Sequence, residues 1–453
     1  MPIQLKNFVG FENWSRPAPH ERSTYVPDVD DYIESLARSI KNSELKRLLV
    51  NTFTNTLDTT LYNYEEQGLQ KSFVITGDIP AMWLRDSTAQ VWQYLPLLKV
   101  SADIQNIFQG LIRKQSECIT LDPYANAFYH KAKYGYHKFD LTPMKAGVHE
   151  RKWELDSLCY HLHLCTEYFS QTQDTSIFDL VWLSGFELIL KTFRVQQRKH
   201  GHGPYVFDRI TTNRVDTLSN LGYGPRYKAT GMIASSFRAS DDACVYPFNI
   251  PANMYARHVL AHIRPLLSAI GRQDLVNECQ ALCSDIQIGL DEWAIENSKN
   301  LGAYFRFEVD GQGNSLAIDE PNSPNLSSLA YLGVFPSDDA TFVNTARLMN
   351  GPSNPWYFSG SIASGVGSPH TGKDMIWPMA MILNMFNQSN TGQIEKSLME
   401  LIISSSGTGL LHESFHKDNA QIFTRPWFAW CNSLFSDVVI KLMQRHPGLI
   451  EEY

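Results

Sequence analysis

The sequence predicts an all-α fold with long loops and a few short strands, and three observations predict it. Apolar residues recur at three- and four-residue steps in about a dozen segments, the spacing of one buried helix face. Strand-like alternation is confined to 203–207 and 303–309, the latter followed by an Asp310-Gly311 turn signal. No Ser/Gly-rich or Pro-rich linker, charge run or strict repeat divides the chain. The helical segments in order are 28–41, 43–64, 86–97, 102–119, 155–171, 176–195, 252–270, 272–297, 323–332, 340–348, 374–387, 393–406 and 429–445. In 252–270, for example, Met254, Val259, Ile263, Leu266 and Leu267 form one apolar stripe. Helices in such number within one undivided chain predict a helical toroid or a solenoid.

Composition narrows the function. The chain has 453 residues, 43% of them hydrophobic, enough for a sizeable core, and Gly 27 with Pro 22 is too little for disorder. Its formal charge is −8 with scattered basic residues, which argues against a binder of phosphate backbones. The longest apolar stretch, 375–386, is broken by Pro378 and Asn384 and is too short to span a bilayer. The start MPIQLKNFVGFENWSRP lacks the charged and apolar regions of a signal peptide. Seven cysteines without paired spacing fit a reducing compartment. The expectation is a cytoplasmic protein that binds neither nucleic acid nor membrane.

The connections 73–85, 125–153, 198–251, 351–373 and 407–425 are long and rich in Gly, aromatic and charged residues. They read as the lining of a site. Within them, Thr76-Gly77-Asp78-Ile79-Pro80-Ala81-Met82-Trp83-Leu84-Arg85-Asp86-Ser87 sets a turn before a helix start. Trp83 offers a flat apolar face, and Arg85 and Asp86 offer directional hydrogen bonds, the mixture a sugar ring requires. The plainer alternative is that Asp86 caps the helix and Arg85 pairs with a nearby carboxylate. Ser240-Asp241-Asp242-Ala243 supplies two adjacent carboxylates whose side chains must diverge, so one could act as an acid while the other orients the loop. A solvated acidic turn is the alternative, and Asp338-Asp339, a pair with no aromatic company, reads as a helix cap. In Gly409-Leu410-Leu411-His412-Glu413-Ser414-Phe415-His416, Glu413 stands between turn-forming glycines and the aromatic run 423–430 and could deprotonate a water. An ordinary ion pair is the alternative. Arg151-Lys152-Trp153-Glu154-Leu155-Asp156-Ser157 repeats the mixture of basic, aromatic and acidic groups before a helix.

Cys159, His161, His163 and Cys165 would share one face of a strand, but 155–171 reads as a helix, where residues two apart point in nearly opposite directions, so no metal site is expected. No HExxH, paired CxxC, nucleotide-binding glycine motif or GxSxG elbow is present.

Together these segments resemble glycoside hydrolase family 125, the exo-acting α-1,6-mannosidases. The stretches that carry the resemblance are GDIPAMWLRDS (77–87), RKWELDSLCY (151–160), TGMIASSFRASDDA (230–243), GSPHTGKDMIWPM (367–379), LLHESFH (410–416) and FTRPWFAW (423–430). The resemblance implies an (α/α)6 toroid, or barrel, of about twelve helices with long active-site loops. The chain is expected to form one catalytic domain over 1–453, with an N-terminal extension over 1–25 packed on it. No metal or cofactor is implied, and the partner is a mannose-containing oligosaccharide. Hydrolysis would proceed with inversion, using an Asp acid and a Glu base. Carried onto this chain, the acid falls in Asp241-Asp242, with Asp241 favoured, and the base falls on Glu413. Trp83, Arg85 and Asp86 would hold the terminal mannose. Asp78, Trp153, Asp156, His370, Trp377, His412, Arg425 and Trp430 are further candidates for the same shell.

An inverting reaction needs a protonated acid, an ionised base and carboxyl groups ~6.5–9.5 Å apart to admit the water. Two other readings remain open. A related (α/α)6 glucosidase or phosphorylase is one, the phosphorylase requiring phosphate; a non-catalytic carbohydrate-binding protein, indifferent to loss of Glu413, is the other.

Overall fold

The computed structural model describes residues 14–450, and these group into two compact units. The first is drawn from Met1–Met82, Asp86–Leu111 and Trp356–Tyr453, the second from Trp83–Arg85 and Ile112–Pro355. Of the expected N-terminal extension 1–25, residues 1–13 lie outside the described residues. Trp14 packs with Leu410, Trp427 and Ala429 of the first unit, and its backbone N–H donates to Thr408 at 2.8 Å.

In the first unit, helix Ala429–Arg445 packs on Ser43–Asn55 and on Pro378–Phe386, which in turn packs on Thr391–Ser404. The capping Asn42 side chain accepts from the N–H groups of Glu44 and Leu45, both at 3.0 Å, and so begins Ser43–Asn55. That helix stops nine residues short of the predicted 43–64. Thr59 and Thr60 turn their hydroxyls back onto the carbonyls of Asn55 and Thr56, at 2.5 and 3.2 Å. The backbone widens to a π-turn over Thr56–Thr60 and leaves the helix. The following Leu61–Glu66 pairs with Leu69–Val74 as an antiparallel hairpin, turning at Gln67-Gly68 with both residues at positive φ. Nearer the site, Met375–Ile376, Ser414–His416 and Asn419–Thr424 form a three-stranded sheet in which Ser414 faces Thr424.

In the second unit, helix Ile250–His262 packs between Leu155–Thr172 and Gln273–Trp293, and the latter also contacts Leu180–Gln196. The predicted helix 252–270 is two helices, because Pro265, lacking an N–H, starts a second one over Arg264–Ala269. Phe248–Asn249, Glu308–Val309 and Ser315–Leu316 make a small sheet, and Ala127–Phe128 pairs with Val148–Glu150.

Other departures from the sequence reading are local. The segment 323–332 holds only the 3-10 turn Leu326–Ser328, and 203–207 is extended without a ladder, its Phe207 N–H donating to Gly222. Helix 374–387 shortens to Pro378–Phe386 because Met375–Ile376 joins the sheet. The chain remains mostly helical, but short strands are more numerous than expected. Pairs of two or three residues are too short for alternation to reveal. Among the described residues, no helix is long and apolar enough to cross a membrane.

Gly289 gives a stability test. It lies inside Gln273–Trp293, where Gly→Ala ordinarily gains about 1 kcal/mol. Here an added Cβ would stand 2.8 Å from both the Thr230 carbonyl oxygen and Met232 Cγ, on the strand of chain leading toward Asp241. Gly289→Ala is therefore expected to lower the thermal midpoint, measured by calorimetry, where propensity alone predicts a rise.

Candidate active site

Two clusters of ionisable side chains contain most of the residues singled out by sequence, one in each unit. That of the second unit is centred on Arg85. Leu84 N–H donates to the Asn126 carbonyl at 3.1 Å and Gln115 Nε2 donates to the Leu84 carbonyl at 3.2 Å, which pins the chain just ahead of Arg85. The guanidinium then reaches three carboxylates. Nη1 donates to Glu154 Oε2 at 2.7 Å and Asp156 Oδ2 at 3.1 Å, and Nη2 to Asp241 Oδ1 at 3.2 Å. Asn126 Nδ2 binds Glu154 at 3.0 Å, Glu150 at 3.1 Å and Asp241 at 3.3 Å, and Ser157 Oγ donates to Glu154 at 2.8 Å. The reading that Arg85 pairs with a nearby carboxylate holds three times over.

The Asp241-Asp242 pair diverges, as neighbouring side chains must. It sits in a tight turn closed by the Phe237–Ala243 bridge, with Arg238 N–H donating to the Asp242 carbonyl at 2.8 Å. Asp241 adopts φ 64°, a left-handed conformation uncommon outside glycine and better tolerated by Asp. Lys152 Nζ holds that conformation by donating to the Asp241 carbonyl at 2.9 Å and to Asp216 at 2.7 Å. The Asp241 side chain retains 26% of its surface exposed, whereas Asp242 is buried at 2%. Behind the turn, Arg238 binds Glu308 Oε1 at 2.6 Å and also Glu320, which accepts from Ser240 Oγ at 2.7 Å.

Electrostatics separates the carboxyls. Burial pushes Glu154 well above the usual range, and the neighbouring Asp241 and Asp156 add to the rise against the pull of Arg85. Asp156 is raised by burial for the same reason. Burial would raise Asp241 too, but a hydrogen bond from Glu154 and the charge of Arg85 carry it below its ordinary value. Glu150, facing Lys152, Arg209 and His137, is pulled strongly down despite its burial.

Trp83 stands against His149 edge-on at 5.1 Å, is 6% exposed, and its indole N–H has no acceptor among the described residues. Trp153 is a wedge in the core: its Nε1 donates to the Ala234 carbonyl at 2.8 Å, and its own carbonyl accepts from Ser236 and Phe237 at the base of the turn.

The cluster of the first unit is centred on Arg425. Glu413 immediately precedes the strand Ser414–His416, and the register that sets Ser414 opposite Thr424 brings the Thr424 hydroxyl to Glu413 Oε2 at 2.9 Å. Arg425 Nη1 lies 3.5 Å from Glu413 Oε1, while Nη2 donates to the Thr76 carbonyl at 2.7 Å and binds Asp78. Gly77, at φ 102°, allows this approach, since a Cβ there would meet Arg425 Nη2 at 3.3 Å. Asp86 is buried and accepts from Thr76 Oγ1 at 2.5 Å. His412 stacks on Phe423 at 3.8 Å and donates Nδ1–H to the Pro426 carbonyl at 2.8 Å; burial lowers its pKa, so the ring is neutral. Trp377 donates to Thr371 Oγ1 at 2.8 Å and, like Trp430, packs against Phe428, with centroids 6.0 and 6.2 Å away. His370 is exposed, 6.4 Å from Trp377.

Sequence reasoning missed Asn126, Glu154 and Lys152 as individual residues. The signal for the last two was present, since both lie in the 151–157 segment beside Trp153 and Asp156. Asn126 carried none, being one polar residue in a loop.

The alternating Cys and His residues lie on helix Leu155–Thr172 and fall on two opposite faces, with His161 Nε2 3.7 Å from Cys165 Sγ one turn on. His161 meets Gln115 at 2.9 Å, His163 meets Tyr255 at 2.8 Å, and Trp182 donates to Cys165 Sγ at 3.2 Å.

Known proteins resemble this chain over most of its length. The family described as metal-independent alpha-mannosidase (GH125) matches residues 42–440. The meiotically up-regulated gene 157 protein of Schizosaccharomyces pombe is 36% identical over 97% of this chain and 90% of its own length. A metal-independent α-mannosidase of Streptococcus pneumoniae, solved as a non-productive substrate complex with α-1,6-mannobiose, superposes with a TM-score of 0.88. It is 36% identical and covers 92% of this chain and 98% of that one. A bacterial glucoamylase complexed with acarbose shares only the fold, with a TM-score of 0.56 at 9% identity over 93% of this chain and 60% of its own.

Burial of His161 sets a pH test. Its folded pKa is lowered by burial to about 3, below the unfolded value, so its stabilising contribution is complete above pH ~6.5 and is lost as pH falls toward 3. In His161→Gln, the loss of unfolding free energy between pH 7 and pH 5, measured with urea, should be smaller by about 2 kcal/mol than in wild type. An unchanged loss contradicts the neutral assignment.

Proposed function

Because the chain belongs to glycoside hydrolase family 125, the metal-independent α-mannosidases, we propose that it is an exo-acting α-1,6-mannosidase that hydrolyses short mannosides with inversion. The helical architecture proposed with it is the (α/α)6 toroid, supported by the predominance of helices among the described residues. The observation that carries the reading is the pair of carboxyl clusters falling on the family's motifs: Asp241 held by Arg85 and Asn126, and Glu413 held by Thr424 and Arg425. The α-1,6 linkage rests on the mannobiose bound by the pneumococcal relative.

In this reading Asp241, whose side chain keeps an exposed edge, gives a proton to the glycosidic oxygen as the C1–O bond breaks. Asp242, buried behind the turn, orients it. Glu413 takes a proton from the water that attacks C1. Trp83 offers its unpartnered indole N–H to a sugar hydroxyl, and Asp78, Asp86, Asp156, His370, Trp377, His412, Arg425 and Trp430 complete or support the sugar-binding shell. Trp153 supports it from the core. We place the activity in the cytoplasm, where seven free, buried cysteines stay reduced, acting on imported mannosides.

Leaving-group chemistry tests the roles. On α-1,6-mannobiose, Asp241→Asn and Glu413→Gln should each lower kcat by about 10²- to 10⁴-fold. On 2,4-dinitrophenyl α-mannoside, whose leaving group needs no proton, Asp241→Asn should recover most of its loss and Glu413→Gln should not. Equal impairment of Asp241→Asn on both substrates contradicts the acid assignment.

A further inference from the structure

A general acid beside an arginine raises a difficulty, since the guanidinium favours the carboxylate and the acid must carry a proton. The Arg85 cluster contains an answer. One guanidinium faces three buried or half-buried carboxyls, Glu154, Asp156 and Asp241, and cannot neutralise all three. The Glu154 side chain has no exposed surface. Asn126 Nδ2 bridges its carboxyl and that of Asp241 at 3.0 and 3.3 Å, and Arg85 spans the same two groups at 2.7 and 3.2 Å. Two carboxyls gathered on the same two donors cannot both ionise without repulsion, and one proton shared between them relieves it.

We propose that Glu154 is a positioning residue for the acid: it and Asp241 hold one proton between them in the resting enzyme, and Glu154 keeps that proton available at Asp241 for transfer to the glycosidic oxygen. This rests on the reading of Asp241 as the acid. During the reaction the shared proton passes from Asp241 to the leaving oxygen as C1–O breaks, and both carboxyls remain as carboxylates beside Arg85. Water adds its hydroxyl to C1 and gives its other proton to Glu413. Glu413 then releases that proton to solvent, and the pair takes one back through the exposed edge of Asp241, so no net proton is consumed.

The surroundings of Glu154 fit this role. Arg85 reaches it from helix Leu84–Ala89, Asn126 from beside strand Ala127–Phe128, and Asp156 and Ser157 from the first turn of Leu155–Thr172. Glu150 and Lys152 of the preceding segment, the Tyr205 hydroxyl and, toward Asp241, His149 complete the charged and titratable shell, with Asp216 beyond Lys152. The direction of the shifts agrees: burial, with Asp241 beside it, raises Glu154, and Asp241 is lowered. Two carboxyls that share a site titrate as a pair, and the second proton is hard to remove because its loss leaves two adjacent charges.

The test is the pH profile of kcat/KM on α-1,6-mannobiose for the full chain, wild type against Glu154→Gln. Without the neighbouring charge, Asp241 gives up its proton at lower pH, so the basic limb should move down by about one unit or more. At pH 7 kcat should fall roughly tenfold or more on mannobiose but much less on 2,4-dinitrophenyl α-mannoside, with KM little changed. A basic limb that stays in place in folded Glu154→Gln overturns the proposal. Should that variant fail to fold, difference infrared spectra of Asp241→Asn against wild type at pH 7 decide instead. A protonated-carboxyl band perturbed by the substitution supports the shared proton, and no perturbation overturns it. Equal impairment of Asp241→Asn on both substrates would remove the acid assignment, and with it this inference. An acid signature in Asp241→Asn with an unmoved limb in Glu154→Gln removes the inference alone.

Discussion

The arrangement of the second unit depends on one buried guanidinium. Arg85 is 2% exposed and binds carboxylates from two separate stretches of chain, the start of helix Leu155–Thr172 and the turn at Asp241. Its planar fork lets two nitrogens engage three carboxyls at once, which a lysine ammonium could not do with the same geometry. Leaving such charges unpaired in the interior costs several kcal/mol, so the three segments must meet where the fork points. On the other side of the same turn, Arg238 binds Glu308 and Glu320. The Asp241-Asp242 dipeptide therefore lies between two arginine networks, one binding the Asp241 side chain and the other holding Ser240 and the Asp242 carbonyl. That over-determination holds Asp241 in a left-handed conformation that would otherwise relax.

The first unit solves a comparable problem with a strand register. Glu413 is fixed because Ser414 pairs with Thr424, whose hydroxyl reaches back to it, and Arg425 follows one residue later. Gly77 then admits Arg425 to the Thr76 carbonyl. Each cluster thus consists of a carboxyl held by an arginine and by a neutral donor, Asn126 in one case and Thr424 in the other.

Much of this was legible in the sequence for a physical reason. Helices such as Ala429–Arg445 and Ala340–Met349 declare themselves by local periodicity, and both have nearly the predicted bounds. The motifs holding Trp83, Arg85, Asp241 and Glu413 are contiguous runs, readable without knowing what they contact. What was not legible depends on distant partners. The ladder that shortens 374–387 exists only because 414–416 lies beside it. The end of Ser43–Asn55 depends on hydroxyls turning back on their own helix, where a periodicity count continues. The Asn126 amide gains its role from three carboxyls that converge on it, and Glu154, inside the 151–157 segment the sequence marks, is set apart from its neighbours only by partners distant in the chain.

The function proposed for the two carboxyl clusters is one account: an acid on one carboxyl and a base on another, with water as the nucleophile. Its most direct test is proton NMR of the protein acting on α-1,6-mannobiose in EDTA, following the anomeric signals from the earliest times. The account predicts that β-mannose appears first and mutarotates afterwards. If α-mannose appears first, the roles of Asp241 and Glu413 as acid and base of a single displacement are contradicted.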